Sequence, residues 1–243
     1  MSHDIAVIGD GCAALSLAAR AEQLHDYNIT LVRPNGAPES KDHVWGFWSD
    51  ETLEDAAQLA RGTWHRWDII TPKRRITMSS KSMPYHAIKR NDWTAHCQNL
   101  AKSAGVNFID EDDWQISDSS TIFDTRPPLV PDNCILQHFH GLEIKTNTPV
   151  FEDKTAILMD FRVEQSKGMH FIYLLPYSST EALVESTIFS TELVDEQFYL
   201  STIDNYLAEY YEVKEYEITH REKGVIPLGK LSLHDDNIPG LGS

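Results

Sequence analysis

The 243-residue chain has only three cysteines, Cys12, Cys97 and Cys134, which lie far apart and without CxxC spacing. This excludes a disulfide framework and a zinc site of the usual ligand spacing, and it points to a reducing compartment. Positive charge is also scarce: 21 Lys and Arg stand against 37 Asp and Glu, a net charge of −16. A surface of that sign repels phosphate backbones, so neither nucleic acid nor a broad electrostatic grip on anionic lipid is expected. No apolar run approaches the ~20 residues that a membrane-spanning helix requires. The first residues, Met1 to Ile8, have no basic region and only a short apolar run, so they do not read as a signal peptide. GxSxG and HExxH are missing, and with them the serine-hydrolase and zincin readings. What is present is a chain 41% hydrophobic, long enough to bury a core without covalent staples. At roughly 150 residues per domain it makes one large domain or two modest ones.

The pattern begins as strand, glycine-rich turn, helix, strand. Ile5–Ile8 is a short apolar run, Leu15, Leu17, Ala18, Ala21 and Leu24 recur at helical spacing, and Ile29–Val32 alternates like a strand. Residues 35–90 are irregular by pattern, although four of the six tryptophans cluster in 45–67. Asn91 is placed to cap a helix running through Ala104, with Gly105 just past its end. Short strands are expected at Val106–Ile109 and Thr121–Phe123. From Cys134 to Ser190 the texture is β-rich: Ile135–Phe139, Glu143–Thr146, Ala156–Val163, His170–Pro176 and Ala182–Phe189. Short turns between them predict an antiparallel sheet inserted after the βαβ part. Thr191–Glu212 reads as helix. The segment 181–222 carries eleven acidic residues against Lys214 and Arg221, and most of that excess reads as a solvated face.

Gly9-x-Gly11-x-x-Ala14, after a strand and opening a helix, is the dinucleotide fingerprint in its Ala-ended form. The first glycine makes the tight turn, the second admits a pyrophosphate close to the backbone, and the small third residue lets helix and strand pack. The fingerprint expects an acid at the end of the second strand, where this chain has Arg33. His138 and His140 share a strand face without a third ligand at convincing spacing, which favours two ordinary histidines. Trp45, Phe47 and Trp48 read first as core, and their density also suits an apolar ligand or a cation held over aromatic faces. Asp160 and Glu185 are acids set in apolar β-sequence, and a buried carboxylate needs either a partner or a chemical role. Arg162 is an obvious partner for Asp160. Glu185 has only Leu183 and Thr187 at i±2, so its carboxyl is expected to have a raised pKa and to act as a general acid.

In order along the chain, Ala6-Val-Ile-Gly-Asp-Gly-Cys-Ala-Ala-Leu15, His43-Val-Trp-Gly-Phe-Trp-Ser-Asp50 and Phe123-Asp-Thr-Arg-Pro127 are followed by Leu136-Gln-His-Phe-His-Gly141 and Leu158-Met-Asp-Phe-Arg162. Then come Tyr173-Leu-Leu-Pro-Tyr-Ser178, Ala182-Leu-Val-Glu-Ser-Thr187 and Gly224-Val-Ile-Pro227. Together they resemble the lycopene cyclase family of flavoproteins, the bacterial β-cyclases in particular. The resemblance implies an α/β protein in which a Rossmann-like FAD/NAD(P)-binding domain carries an inserted antiparallel β-rich substrate domain. The expected division is a Rossmann-like FAD-binding part over 1–133, a β-rich substrate part with a helix over 134–220, and an incomplete return toward the FAD domain over 221–243. The implied reaction is acid-catalysed closure of the acyclic ends of lycopene, or a similar acyclic carotenoid, into β-ionone rings. It is an isomerisation of the intramolecular-lyase type, dependent on reduced FAD without net redox change, with NAD(P)H as reductant.

By the same resemblance Glu185 matches the essential glutamate of the family's Leu-Val-Glu-x-Thr motif. Asp160 and Arg162, with Trp45 and Trp48, are expected at the substrate–flavin junction. Gly9, Gly11 and Ala14 are expected on the pyrophosphate, with Arg90 and Asp124 as further cofactor contacts by position. The implied location is cytoplasmic, peripherally on the inner membrane of a bacterium. Family members continue past Ser243 into a glycine-rich segment, so the chain reads as truncated. Two other readings stand beside the cyclase: a redox flavoprotein acting on a polyprenyl substrate, and a non-catalytic nucleotide- or polyene-binding fragment.

Overall fold

A computed structural model describes residues 3–37, 41–115, 121–127 and 129–229. β1 (His3–Ile8) runs into α1 (Cys12–Ala18), then a 3-10 turn and β2 (Tyr27–Arg33). β3 (Val44–Trp48), α2 (Glu54–Gln58), β4 (Gly62–Trp64), β5 (Arg66–Thr71), β6 (Arg74–Ser79) and β7 (Tyr85–Lys89) follow. Next come α3 (Arg90–Ser103), β8 (Asn107–Asp110), β9 (Thr121–Asp124), β10 (Ile135–Lys145) and β11 (Thr155–Asp160). β12 (Met169–Pro176), β13 (Glu181–Ser190), α4 (Glu196–Tyr211) and β14 (Glu217–Leu228) complete the described chain.

The chain divides into two units. The first draws on Met1–Lys41 and Arg90–Pro131 and holds a parallel sheet in the order β8-β2-β1-β9. β1 is buried along Ala6–Ile8 because it lies inside that sheet, as strands covered on both faces must be. α1 packs on α3, and the Trp93 indole donates to the Ser16 hydroxyl at 3.0 Å. α3 starts one residue before Asn91 and ends at Ser103, two residues before Gly105, whose φ of +80° suits a glycine past a helix end.

The second unit takes in Asp42–Lys89 and Asp132–Gly229. The units divide at 131/132, and residues 42–89 fall with the β-rich part. Residues 217–228 do not return to the first unit either. They form β14, the edge strand of a seven-stranded sheet in the order β14-β10-β13-β12-β11-β5-β6. Its pairs are antiparallel except β11 with β5, so the sheet is mixed. Residues 230–243 lie outside the described part. The two strands expected at 135–139 and 143–146 are one, because β10 runs unbroken through Gly141.

α4 covers one face of this sheet. The Asp195 side chain caps it by accepting from the Gln197 N–H at 2.8 Å. Ile203, Tyr206 and Leu207 pack into Leu142, Ile144, Ile172, Leu174 and Val184; each such apolar side chain contributes about 2 kcal/mol on burial. The opposite face presents Leu183, Leu175, Leu158 and Ala156 to Trp64, Tyr85 and Ala87, which come from the three-stranded sheet β3-β7-β4. Central strands covered on both faces are buried along their length, as β13 is from Ala182 to Ile188.

Candidate active site

Glu185 in β13 stands directly opposite Gly141 of β10 on one side and Tyr173 of β12 on the other. Across β10, Glu222 of β14 is also opposite Gly141. Residues opposite each other on a ladder share a face, so Glu222, Gly141, Glu185 and Tyr173 form one row. Two strand spacings, about 10 Å, separate the two glutamate backbones. The carboxyls nevertheless act on each other, because Gly141 has no side chain to stand between them. A Cβ at 141 would lie 2.9 Å from Glu222 Cγ and 3.2 Å from Leu183 Cδ1.

Each carboxyl has one further anchor. The Thr187 hydroxyl donates to Glu185 Oε1 at 2.5 Å, and the Val44 N–H donates to Glu222 Oε2 at 2.9 Å. Both glutamates are buried. Removal from water pushes Glu185 up to about 8, the charge of Glu222 adds to the rise, and the Thr187 bond opposes it. Burial raises Glu222 to about 7 against the pull of the Val44 N–H. Burial thus pushes both carboxyls toward the protonated form, Glu185 further than Glu222.

Aromatic rings surround the pair. Tyr85, Tyr173 and Tyr177 all feel the charge of Glu185, and burial before anything else raises their phenols, which stay neutral. Trp64 lies 6.3 Å from Tyr85 and 6.2 Å from Tyr177 between ring centroids. Glu143, two residues along β10 on the same face, is buried and paired with the Arg61 guanidinium. Arg61 in turn sits 4.1 Å above the Tyr177 ring. The Tyr177 hydroxyl is buried with no hydrogen-bond partner among the described residues, a group that a bound molecule would satisfy. A protonated carboxyl in an aromatic wall is equipped for general-acid chemistry, and the rings and second carboxylate favour a cation over a neutral product.

The first unit supplies the dinucleotide turn. Gly9 has φ +132°, and a Cβ there would collide with the Thr125 hydroxyl. Nothing lies within 4 Å of where a Gly11 Cβ would be, so the backbone is open where a pyrophosphate would approach. Ala14 is fully buried under α1. This geometry fits the phosphates of FAD. Arg33, in place of the expected acid, pairs with Asp10 of the same turn at 3.4 Å.

The remaining candidate residues lie elsewhere. Asp160 and Arg162 are on the α4 face, the side of the sheet opposite Glu185. Arg162 Nη2 donates to Asp160 Oδ2 at 2.6 Å, the Tyr206 hydroxyl donates to the same oxygen at 2.7 Å, and the guanidinium lies 3.8 Å over Tyr210. Asp124 is held by Arg126 in the same kind of fork, at 2.6 Å. Arg90 opens α3 and donates to Asn91 at 3.3 Å. Trp48 packs on Tyr85 at 4.9 Å, so it belongs to the aromatic cluster, whereas Trp45 is on the other face of β3 against His43. His138 spends both ring nitrogens on Ser190 and Tyr199, at 2.8 and 2.5 Å. Among the described residues no group of three metal-ligating side chains is present.

A parallel sheet with a glycine turn and a mixed sheet make up a fold that the chain shares with solved structures of low identity. A geranylgeranyl bacteriochlorophyll reductase-like protein from Thermoplasma acidophilum matches 94% of this chain and 67% of its own, with TM-score 0.64 and 14% identity. A flavin-dependent halogenase from Xanthomonas campestris matches 100% of this chain and 66% of its own, with TM-score 0.65 and 9% identity. The model of the lycopene cyclase protein family matches residues 4–243, and the chain belongs to that family. Lycopene beta-cyclases of Paracoccus sp. (strain N81106 / MBIC 01143) and Pantoea ananas are 26% and 25% identical over 94% and 76% of this chain. The chain spans 62% and 52% of the length of those relatives.

Proposed function

We propose that Glu185 is the acid of a lycopene beta-cyclase-type reaction. The observation that carries this reading is a buried carboxyl among aromatic side chains, held by burial well above the usual carboxylate range, on the strand whose sequence resembles the cyclase glutamate motif. The Glu185 proton adds to the terminal alkene carbon of the polyene and leaves a tertiary cation. The π pair of a nearby double bond attacks that cation to form the ring C–C bond. A ring carbon then loses a proton to a carboxylate, so the formula and oxidation state of the substrate are unchanged. Tyr85, Tyr173 and Tyr177 present ring faces to the cation and exclude water that would trap it.

Gly9, Gly11 and Ala14 would hold the FAD pyrophosphate. Flavin, when bound in its reduced form, would supply an electron-rich ring system, with NAD(P)H as the reductant that keeps it so. The apolar substrate calls for peripheral contact with the membrane that stores it. Among the described residues no helix is long and apolar enough to cross one.

The test adds the chain, and any longer reading frame that contains it, anaerobically with reduced FAD to lycopene in lipid vesicles. Ring-closed product with the mass of lycopene supports the reading. A product two hydrogens heavier would replace it with a redox flavoprotein acting on a polyprenyl substrate. Flavin or polyene binding without turnover would leave a binding fragment.

A further inference from the structure

Glu222 is not needed to name an acid, yet the fold spends three features on bringing it to Glu185. Its strand is the edge partner of β10, in a register that places it opposite Gly141. The residue between the two glutamates has no side chain, and any Cβ there would press on Glu222 Cγ. The Val44 N–H fixes one oxygen of Glu222, which leaves the other for its neighbour. Two buried carboxyls this close cannot both ionise cheaply.

We infer that Glu222 is a positioning residue that keeps the proton on Glu185 and takes up the strain of its loss. This inference rests on the cyclase reading for its chemical purpose, though not for its existence. In the resting pair the Glu185 O–H donates to the Glu222 carboxylate. When that proton moves to the alkene carbon, two adjacent carboxylates face one carbocation, and their joint charge holds the cation in place. The proton lost from the ring carbon returns to Glu185, and the hydrogen bond to Glu222 reforms. No proton is gained or consumed over the cycle.

Other charges act on the pair from each side. Asp42 and Glu143 raise Glu222, and Arg61 neutralises Glu143. The neutral phenols of Tyr85, Tyr173 and Tyr177 complete the wall.

The test combines two readouts on wild type, Glu222→Gln and Gly141→Ala. The amide of Glu222→Gln still accepts from Val44 N–H, so this variant keeps the fold; Gly141→Ala retains both carboxyls and pushes the Glu222 side chain away from Glu185. The first readout is an infrared pH titration of the protonated-carboxyl band, assigned by its loss in Glu185→Gln and requiring no substrate. The second is the alkaline limb of lycopene cyclisation. Both variants should lose the band, and cyclisation, about one pH unit lower than wild type, a tenfold fall in rate at a fixed pH above the limb. If the band titrates in Glu222→Gln and in Gly141→Ala as it does in wild type, Glu222 has only a structural role and the inference is overturned. If the band shifts but no version of the protein cyclises lycopene, the carboxyl pair stands and the cyclase reading falls.

Discussion

Replacing Arg162 by Met separates a structural from a chemical role for the Asp160–Arg162 fork. Asp160 is fully buried and accepts from Arg162 Nε at 2.9 Å, Arg162 Nη2 at 2.6 Å, the Arg162 N–H at 3.1 Å and the Tyr206 hydroxyl at 2.7 Å. Arg162→Met removes the counter-charge and both guanidinium bonds but keeps the backbone and Tyr206 donors, and methionine retains much of the packing on Tyr210. Stranding a buried charge costs about 3–5 kcal/mol. The guanidinium side chain is 30% exposed, so water can reach the vacated position and the low end, about 3 kcal/mol, is expected. Urea unfolding followed by tryptophan fluorescence and circular dichroism gives the number. Asp160→Asn combined with Arg162→Met should recover most of the loss, since no charge is then stranded. A change below about 1 kcal/mol in Arg162→Met, together with loss of cyclisation, would refute the structural reasoning and move the fork to the substrate side.

Four further outcomes follow from the same geometry. The carboxyl of Glu185 is raised above its unfolded value of 4.5 to about 8, so the folded state holds more protons between those values. Stability is full below about pH 4.5 and is lost as pH rises through 8; thermal melts from pH 5 to 8.5 should show the fall, and Glu185→Gln should reduce it. Tyr177→Phe removes a buried hydroxyl with no partner among the described residues and should leave stability unchanged or higher by up to about 1 kcal/mol in urea titration. Gly9→Ala forces a Cβ into Thr125 at a φ of +132° and should weaken FAD at least ~10-fold in equilibrium dialysis. Tyr206→Phe removes one neutral donor from Asp160 and should cost about 1–2 kcal/mol, read by the same urea titration.

The parts of the fold legible in the sequence were those where local pattern and tertiary context agree. The strand–turn–helix around Gly9 and Gly11 is one, because the turn needs glycine whatever else the chain does. The buried strand at 182–189 is another. The segment 42–89 was not legible: β6 is exposed along its whole length and shows no alternation, while β3 and β7 are held by pairing with each other. The two strands expected at 135–139 and 143–146 are one, and its Gly141 stands between Glu222 and Glu185 without a side chain. For Glu185 the argument from an apolar neighbourhood held, but its partner was hidden in an acidic stretch that reads as solvated surface. Only the register of β10 against β13 and β14 shows that Glu222, 37 residues farther on, faces the same space. Asp160 is buried and paired with Arg162, the neighbour two residues on that its strand spacing offers. Which face of the sheet it occupied depended on α4, and that is tertiary information.

The most direct test of the central claim is cyclisation of lycopene in deuterium oxide by wild type and Glu185→Gln, both loaded with reduced FAD to the same occupancy. The wild type should form an isomer of lycopene with solvent deuterium at the ring carbon that received the proton. Glu185→Gln should bind flavin equally and form no ring. Ring closure by Glu185→Gln at a rate within about tenfold of wild type would contradict the assignment of Glu185 as the acid.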